Sequence, residues 1–258
     1  MQQQRRYVIS IAGFDPSAGA GILADIKTFE HLEVYGLGVC SAITIQTEDQ
    51  LQSVRWISCE EIISQLKLLL EKYPVQFLKI GIVESLEMLK KILTYLEVHF
   101  PQIKIIWDPV MKASSGFEFH STISKSVLTQ CCQKVFLLTP NAEEALALTN
   151  ETDAVLAAEQ LQQVTQVFMK SFKMKDGSMY DVLLQQGTRL NFKSEVLDGF
   201  VKHGSGCVLS AAITAFLALG NDLKTSCELA KSYTFEFLQS APGLLGTHHA
   251  IKLPVQHG

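Results

Sequence analysis

Short β-branched runs alternate with longer stretches of helical period from one end of the chain to the other. The runs predict strands over 8–12, 39–44, 77–80, 103–107, 135–138, 167–170 and 182–184. The intervening stretches predict helices near 20–33, 60–73, 85–100, 142–148 and 154–164, with two more near 207–219 and 223–240. In the first of these, Ile22, Ile26, Phe29 and Leu32 recur at three- and four-residue spacings and form one apolar face. Such alternation builds a mostly parallel sheet with helices on both faces, a three-layer αβα sandwich of the α/β class. Ligands in these sheets bind beyond the carboxyl ends of the strands. No repeat, low-complexity tract or Pro/Ser-rich linker breaks the pattern, so one domain over 1–258 is the simplest account. The stretch 168–179 (FMKSFKMKDGSM) is basic, lacks a clean period and reads as a flap or surface loop.

Composition narrows the class. The 258 residues are 47% hydrophobic, enough for a large core. A formal net charge of -4 offers no basic stripe to nucleic acid, and an anionic ligand would need a local positive site. No apolar run approaches the length of a membrane span. The apolar segment at 7–12 meets Gly13-Phe14-Asp15-Pro16 at once, so it reads as a first buried strand rather than a signal peptide. The six cysteines show neither a CxxC pair nor a zinc spacing. Together these features predict a soluble, cytoplasmic protein in a reducing compartment.

Four loops carry candidate chemistry. Gly13–Gly21 (GFDPSAGAG) joins the first strand to a helix bearing Asp25, and its small residues let backbone pass close to a ligand. It matches neither a P-loop nor a dinucleotide fingerprint. Asp108, followed by Pro109, sits at a strand tip where a carboxylate holds Mg²⁺ directly or through water. Thr139-Pro140-Asn141-Ala142-Glu143-Glu144 repeats that design, although its acids equally suit a helix N-terminus. His203-Gly204-Ser205-Gly206-Cys207 precedes a small-residue helix, and Gly204, Ser205 and Gly206 there form an anion hole suited to a phosphoryl group in transfer. Cys207 lies at its mouth, where a helix N-terminus would favour a thiolate near neutrality. The alternative is a cysteine packed behind a turn. Taken alone, Asp15 and Asp25 are equally a cap and a surface carboxylate, and His248 and His249 read as surface residues.

The chain resembles the hydroxymethylpyrimidine and phosphomethylpyrimidine kinases of thiamine biosynthesis, in the ribokinase-like superfamily. The resemblance rests on the stretches at 9–47, KIGIVES at 79–85, DPVMKASSG at 108–116, TPNAEEA at 139–145, DVL at 181–183 and HGSGCVLSAAITAFLALGNDL at 203–223, in family order. It implies a homodimer that uses ATP and Mg²⁺ to phosphorylate 4-amino-5-hydroxymethyl-2-methylpyrimidine and then its monophosphate. It also implies that Asp25 and Gln46 recognise the aminopyrimidine, while Gly13, Ala18 and Ile82 line its pocket. By the same resemblance Asp108 and Glu144 serve the Mg²⁺ and phosphate region, Asn141 and Lys170 the nucleotide, and Cys207 the acceptor hydroxyl as a base. Sugar kinases of the superfamily generally place an aspartate at that last position.

The chain departs from the family pattern in several places. The usual KGGH reads Lys170-Ser171-Phe172-Lys173, the common QNT reads Gln46-Thr47-Glu48, and the usual methionine is Ile82. The C-terminal glycine-rich ending is reduced to 243–248. Two other readings follow: a pyridoxal-type kinase, and a non-catalytic pyrimidine sensor favoured by the altered 170–173 segment alone.

Overall fold

The computed structural model describes residues 5–111, 124–173, 178–185, 187–194 and 201–248. In chain order the elements begin β1 (Tyr7–Phe14), α1 (Gly21–His31), β2 (Tyr35–Gln46), β3 (Leu51–Trp56), α2 (Cys59–Lys72) and β4 (Val75–Ile80). They continue with α3 (Leu86–His99), β5 (Lys104–Trp107), α4 (Lys125–Cys132), β6 (Leu137–Leu138), α5 (Ala142–Thr149) and α6 (Ala154–Gln162). The last are β7 (Gln166–Lys173), β8 (Met179–Gln185), β9 (Thr188–Ser194), α7 (Ser205–Ala218) and α8 (Leu223–Gln239).

Among the described residues the strands form one sheet in the order β3-β2-β1-β4-β5-β6-β7-β8-β9. From β2 to β7 all neighbours are parallel. The edges are antiparallel, with β3 on β2 at one side and β8 and β9 beyond β7 at the other. Strand β1 is buried along all but its end residues, as a strand covered on both faces must be. Its alternate side chains enter two cores. Ile9 and Ile11 pack with Ile62 and Leu66 of α2 and Leu89 and Ile92 of α3. Val8 packs with Phe29 of α1 and Val208 and Ile213 of α7. These two cores make the three layers, with α1, α7 and α8 on one face. Helix α7 is apolar almost all round and buried accordingly.

The chain leaves β1 toward β2 and β3, then returns to the opposite side of β1 as β4. Their carboxyl ends therefore open a crevice at a topological switch point, where α/β sheets place ligands. Two capping boxes start helices beside the sheet, Ser58 with Glu61 for α2 and Asn141 with Glu144 for α5.

Three elements escape the sequence pattern: β3, β9 and α4. The stretch expected to be a flap is instead largely ladder. Residues 166–173 form β7, paired antiparallel with β8 from Val167↔Leu184 to Lys173↔Met179, and 174–177 lie outside the described residues. Phe168, Met169 and Phe172 are buried in the sheet, and the intervening Lys170 is buried with them in an ion pair to Asp108.

Candidate active site

A cavity of about 1430 Å³ opens beyond the carboxyl ends of β1, β4, β5, β6 and β7. Gly13, Gln46 and Ile82 line one side of it, as expected. A Cβ on Gly13 would meet Ile82 Cδ1 at 2.5 Å, so the Ile82 side chain packs directly over that glycine. Two expected pocket residues do not line the cavity. Ala18 is left-handed (φ 56) in a turn closed by its N–H to Asp15 O, and its carbonyl accepts Lys27 Nζ at 2.9 Å, so Ala20 lines the wall instead. Asp25 is not a surface carboxylate either. It is fully buried beneath the site, ion-paired with Lys79 and accepting the Ser10 hydroxyl. Burial raises the Asp25 pKa against the opposing pull of Lys79. Burial would discharge the partner Lys79, but the adjacent Asp25 charge outweighs it and keeps the ammonium protonated.

The opposite side gathers Asp108, Asn141, Glu144 and Lys170 around the tips of β5, β6 and β7. Asp108, fully buried, accepts Lys170 Nζ at 2.7 Å, Ser210 Oγ at 2.9 Å and Thr139 Oγ1 at 3.3 Å. Lys170 lies 3.9 Å from Glu144 as well, and the two carboxylates keep it charged despite its burial. Glu144 accepts the Asn141 N–H at 2.7 Å. Burial and the Asp108 charge raise the Glu144 pKa while Lys170 opposes them. The Lys170 backbone bridges to Asn141, which binds the loop after β6 to β7.

Gly204 (φ 74) caps α7, and with Ser205 and Gly206 it faces the cavity at the helix N-terminus. A Cβ on Gly206 would touch Lys170 Nζ at 3.4 Å, so the hole adjoins that ammonium. Cys207 also lines the cavity, but the thiolate expected near neutrality is not supported. Burial pushes its thiol up to about 11, Asp25 and Asp108 add to that, and Lys79 and the Gly21 N–H pull the other way. Lys79 Nζ also reaches the Cys207 carbonyl at 3.4 Å.

Several contacts of the site went unread in the sequence. Lys79 is the one charged residue of β4, and Ser210 a hydroxyl one turn beyond Cys207 in a largely apolar helix; both were visible signals. Asp15 and His203 meet at 2.9 Å inside the cavity wall. Hydrogen bonds from His203, Ser17 and Ala20 overcome burial and hold Asp15 at about 2. Asp181 of β8 accepts the Ser171 N–H at 2.8 Å and pairs with Lys231 of α8. Ser171 itself is left-handed (φ 53), so the backbone keeps a glycine-type turn with a serine in it. His248 is not a free surface residue. Its Nδ1 meets the Tyr233 hydroxyl at 2.5 Å and burial lowers its pKa to about 4, while His249 lies outside the described residues. Among the described residues, no helix is long and apolar enough to cross a membrane.

A mostly parallel sheet whose strand tips open on a charged cluster and a glycine-flanked helix N-terminus fits a ribokinase-like phosphotransferase. The chain belongs to the phosphomethylpyrimidine kinase family, which matches residues 15–252. The hydroxymethylpyrimidine/phosphomethylpyrimidine kinase of Aquifex aeolicus (strain VF5) is 31% identical over 244 residues, covering 92% of this chain and 95% of that one. A crystal structure of phosphomethylpyrimidine kinase from Clostridium difficile 630 superposes with a TM-score of 0.76 at 32% identity, covering 90% of this chain and 99% of that one. The ADP complex of Bacillus subtilis pyridoxal kinase gives 0.81 at 26% identity, covering 97% and 100%.

Proposed function

We propose that this chain transfers the γ-phosphoryl group of ATP to the hydroxymethyl group of 4-amino-5-hydroxymethyl-2-methylpyrimidine, and then to the resulting monophosphate. The observation that carries this reading is the Gly204–Cys207 turn, which faces the β1–β4 crevice with Lys170 at its side. The aminopyrimidine lies against Gly13, Ala20 and Ile82 with Gln46 at the end of β2. Asn141 and Lys170 serve the nucleotide phosphates.

In the first transfer the acceptor oxygen bonds to the γ-phosphorus as the bond to the bridging oxygen of ADP breaks. Backbone N–H groups of 204–206 and Lys170 stabilise the equatorial oxygens. The hydroxyl proton passes to Cys207, and because its thiol is held protonated this step draws on the minor thiolate population. A phosphate oxygen is already nucleophilic, so the second transfer needs little from Cys207.

Mg²⁺ accompanies ATP in this reading. Asp108 and Glu144 are hard oxygen donors, but each already accepts hydrogen bonds. Among the described residues no three His, Cys, Asp or Glu gather to hold a metal. The two carboxylates therefore fit a hydrated ion, which would neutralise phosphate charge when bound. A homodimer and a cytoplasmic setting complete the reading on family resemblance alone.

The pyridoxal reading is favoured by one observation, the higher superposition on a pyridoxal kinase. ATP-consumption assays with product masses, offering hydroxymethylpyrimidine, its monophosphate and pyridoxal separately, decide the matter. Conversion of both pyrimidines to the pyrophosphate supports the proposal. Turnover of pyridoxal alone replaces it with the second reading, and binding without turnover points to a sensor.

A further inference from the structure

One carboxylate ties together the two loops on which the acceptor and the transferred group depend. Asp15 Oδ1 accepts the Ser17 N–H at 2.8 Å and Oδ2 accepts the Ala20 N–H at 2.9 Å, which builds the loop after β1. The same Oδ2 meets His203 Nε2 at 2.9 Å, the residue just before the anion hole. Both side chains are nearly enclosed, 2% exposed for Asp15 and 8% for His203. Around this contact the loops have no spare room. A Cβ on Gly204 would fall 2.1 Å from Gly19 O, and one on Gly19 would fall 2.7 Å from His203 Cδ2. The backbone at His203 is fixed too, since its main-chain N–H donates to Leu244 O at 2.8 Å and the neighbouring Lys202 Nζ reaches Gly243 O at 2.6 Å. The loop after β1 keeps its Ser17 and Ala20 bonds without His203, and α7 keeps its own hydrogen bonds without Asp15. What the pair adds is the distance between the two walls.

We propose that Asp15 and His203 are a positioning pair that sets the spacing between the acceptor loop and the anion hole, acting on kcat and hardly on substrate affinity. The proposal rests on the kinase reading above. Transfer requires reacting atoms within about 3–3.5 Å, and a misplacement of about 1 Å costs on the order of 100-fold in rate. Each substrate still has its own wall to bind when the walls drift apart. A buried pair that serves stability alone would behave differently, because its loss would lower the melting temperature and leave the folded enzyme's kcat intact.

The test is steady-state kinetics with hydroxymethylpyrimidine and ATP, on protein verified as folded, beside thermal melts. His203→Ala is expected to lower kcat about 100-fold with both KM values within about threefold. His203→Gln, which retains an N–H donor of similar reach, is expected to recover at least about tenfold of that loss. Asp15→Asn combined with His203→Ala should be no worse than the more damaging single change, since the two act as one unit. An unchanged kcat in His203→Ala, losses that multiply in the double variant, or a loss confined to KM would overturn the pairing. Should His203→Ala fail to fold, His203→Gln is set against His203→Asn: kcat graded with side-chain reach supports the proposal, and equal values overturn it. A wild-type protein without turnover would instead remove the kinase reading, and the pairing with it.

Discussion

The two sides of the cavity, proposed above to take acceptor and donor, bend the backbone into the same unusual region at different residues. On the acceptor side Gly21 (φ 61) and Gly204 (φ 74) face backbone so closely that a Cβ would lie 2.2 Å from Gly13 O and 2.1 Å from Gly19 O. On the donor side the left-handed residue is Ser171 (φ 53), exposed on a bulged stretch of β7. Those two glycine positions tolerate no side chain, although Ala18 (φ 56) carries one in the same loop, and Ser171 merely strains its own. The first half of the site is fixed by close backbone packing together with the Asp15–His203 contact, and the second is held by polar contacts such as Lys170 with Asp108 and Ser171 with Asp181.

The largest expected effect falls where the two sides meet. Cys207→Ala should lower kcat for the first phosphorylation about 1000-fold, within the range general bases contribute, while the second changes little. The pH profile sharpens this. Burial raises the thiol pKa to about 11, so the thiolate fraction grows as pH rises toward that value. Wild-type kcat for the hydroxymethyl substrate should then rise about tenfold per pH unit between about 7 and 9, and that slope should vanish in the variant. A flat wild-type profile, or equal loss of both transfers, removes the base role.

Next comes the packed glycine. Gly204→Ala places a methyl group against Gly19 O in a left-handed conformation, so α7 must move off the acceptor loop. Turnover is expected to fall about 100-fold, measured beside circular dichroism to confirm that the fold survives. Retention of full activity would mean that the close contact is incidental.

The two sides were also unequally legible in the sequence. The glycine loops at 13–21 and 204–206 declare themselves, because backbone that must approach a ligand excludes Cβ atoms locally. Asp108, Asn141 and Glu144 were readable for a similar reason, as polar residues beside a strand-ending proline. Residues defined by distant partners were not. Asp15 and His203 are separated by 188 positions, and Asp181 acts on Ser171 only through the β7–β8 pairing. Asp25 was misplaced because sequence position cannot show that Lys79 of β4 lies beneath it, enclosed with it. In the fold, β3 was missed because an edge strand need not bury an apolar face, and β9 because its alternation, Leu190 and Phe192 against the core, is short. β3 carries mostly exposed or half-buried residues, and its ladder comes from β2. The short α4 repeats its apolar Val127, Leu128, Cys131 and Cys132 at helical spacing over only eight residues, and its N-cap Ser124 makes no side-chain cap, so its signal is brief.

A smaller effect separates the sides by substrate. Gln46→Ala, at the end of β2, should raise the pyrimidine KM about tenfold through one lost hydrogen bond, with the ATP KM unchanged. Initial-rate measurements varying each substrate in turn check it. A rise in the ATP KM instead would exchange the two sides.

The smallest effect tests the donor side's strain. A left-handed non-glycine residue costs on the order of 1–3 kcal/mol, whereas glycine adds disorder to the unfolded chain that costs about 0.5–1 kcal/mol. Ser171→Gly should therefore stabilise the protein by about 0.5–1 kcal/mol, read from the denaturant midpoint at constant slope. The Ser171 N–H bond to Asp181 survives the change, and the exposed side chain leaves no core cavity behind it. Turnover should hold within about twofold if Ser171 only occupies the turn. Greater stability with a raised ATP KM would show instead that the hydroxyl reaches the nucleotide, and that the strain is retained for a contact glycine cannot make.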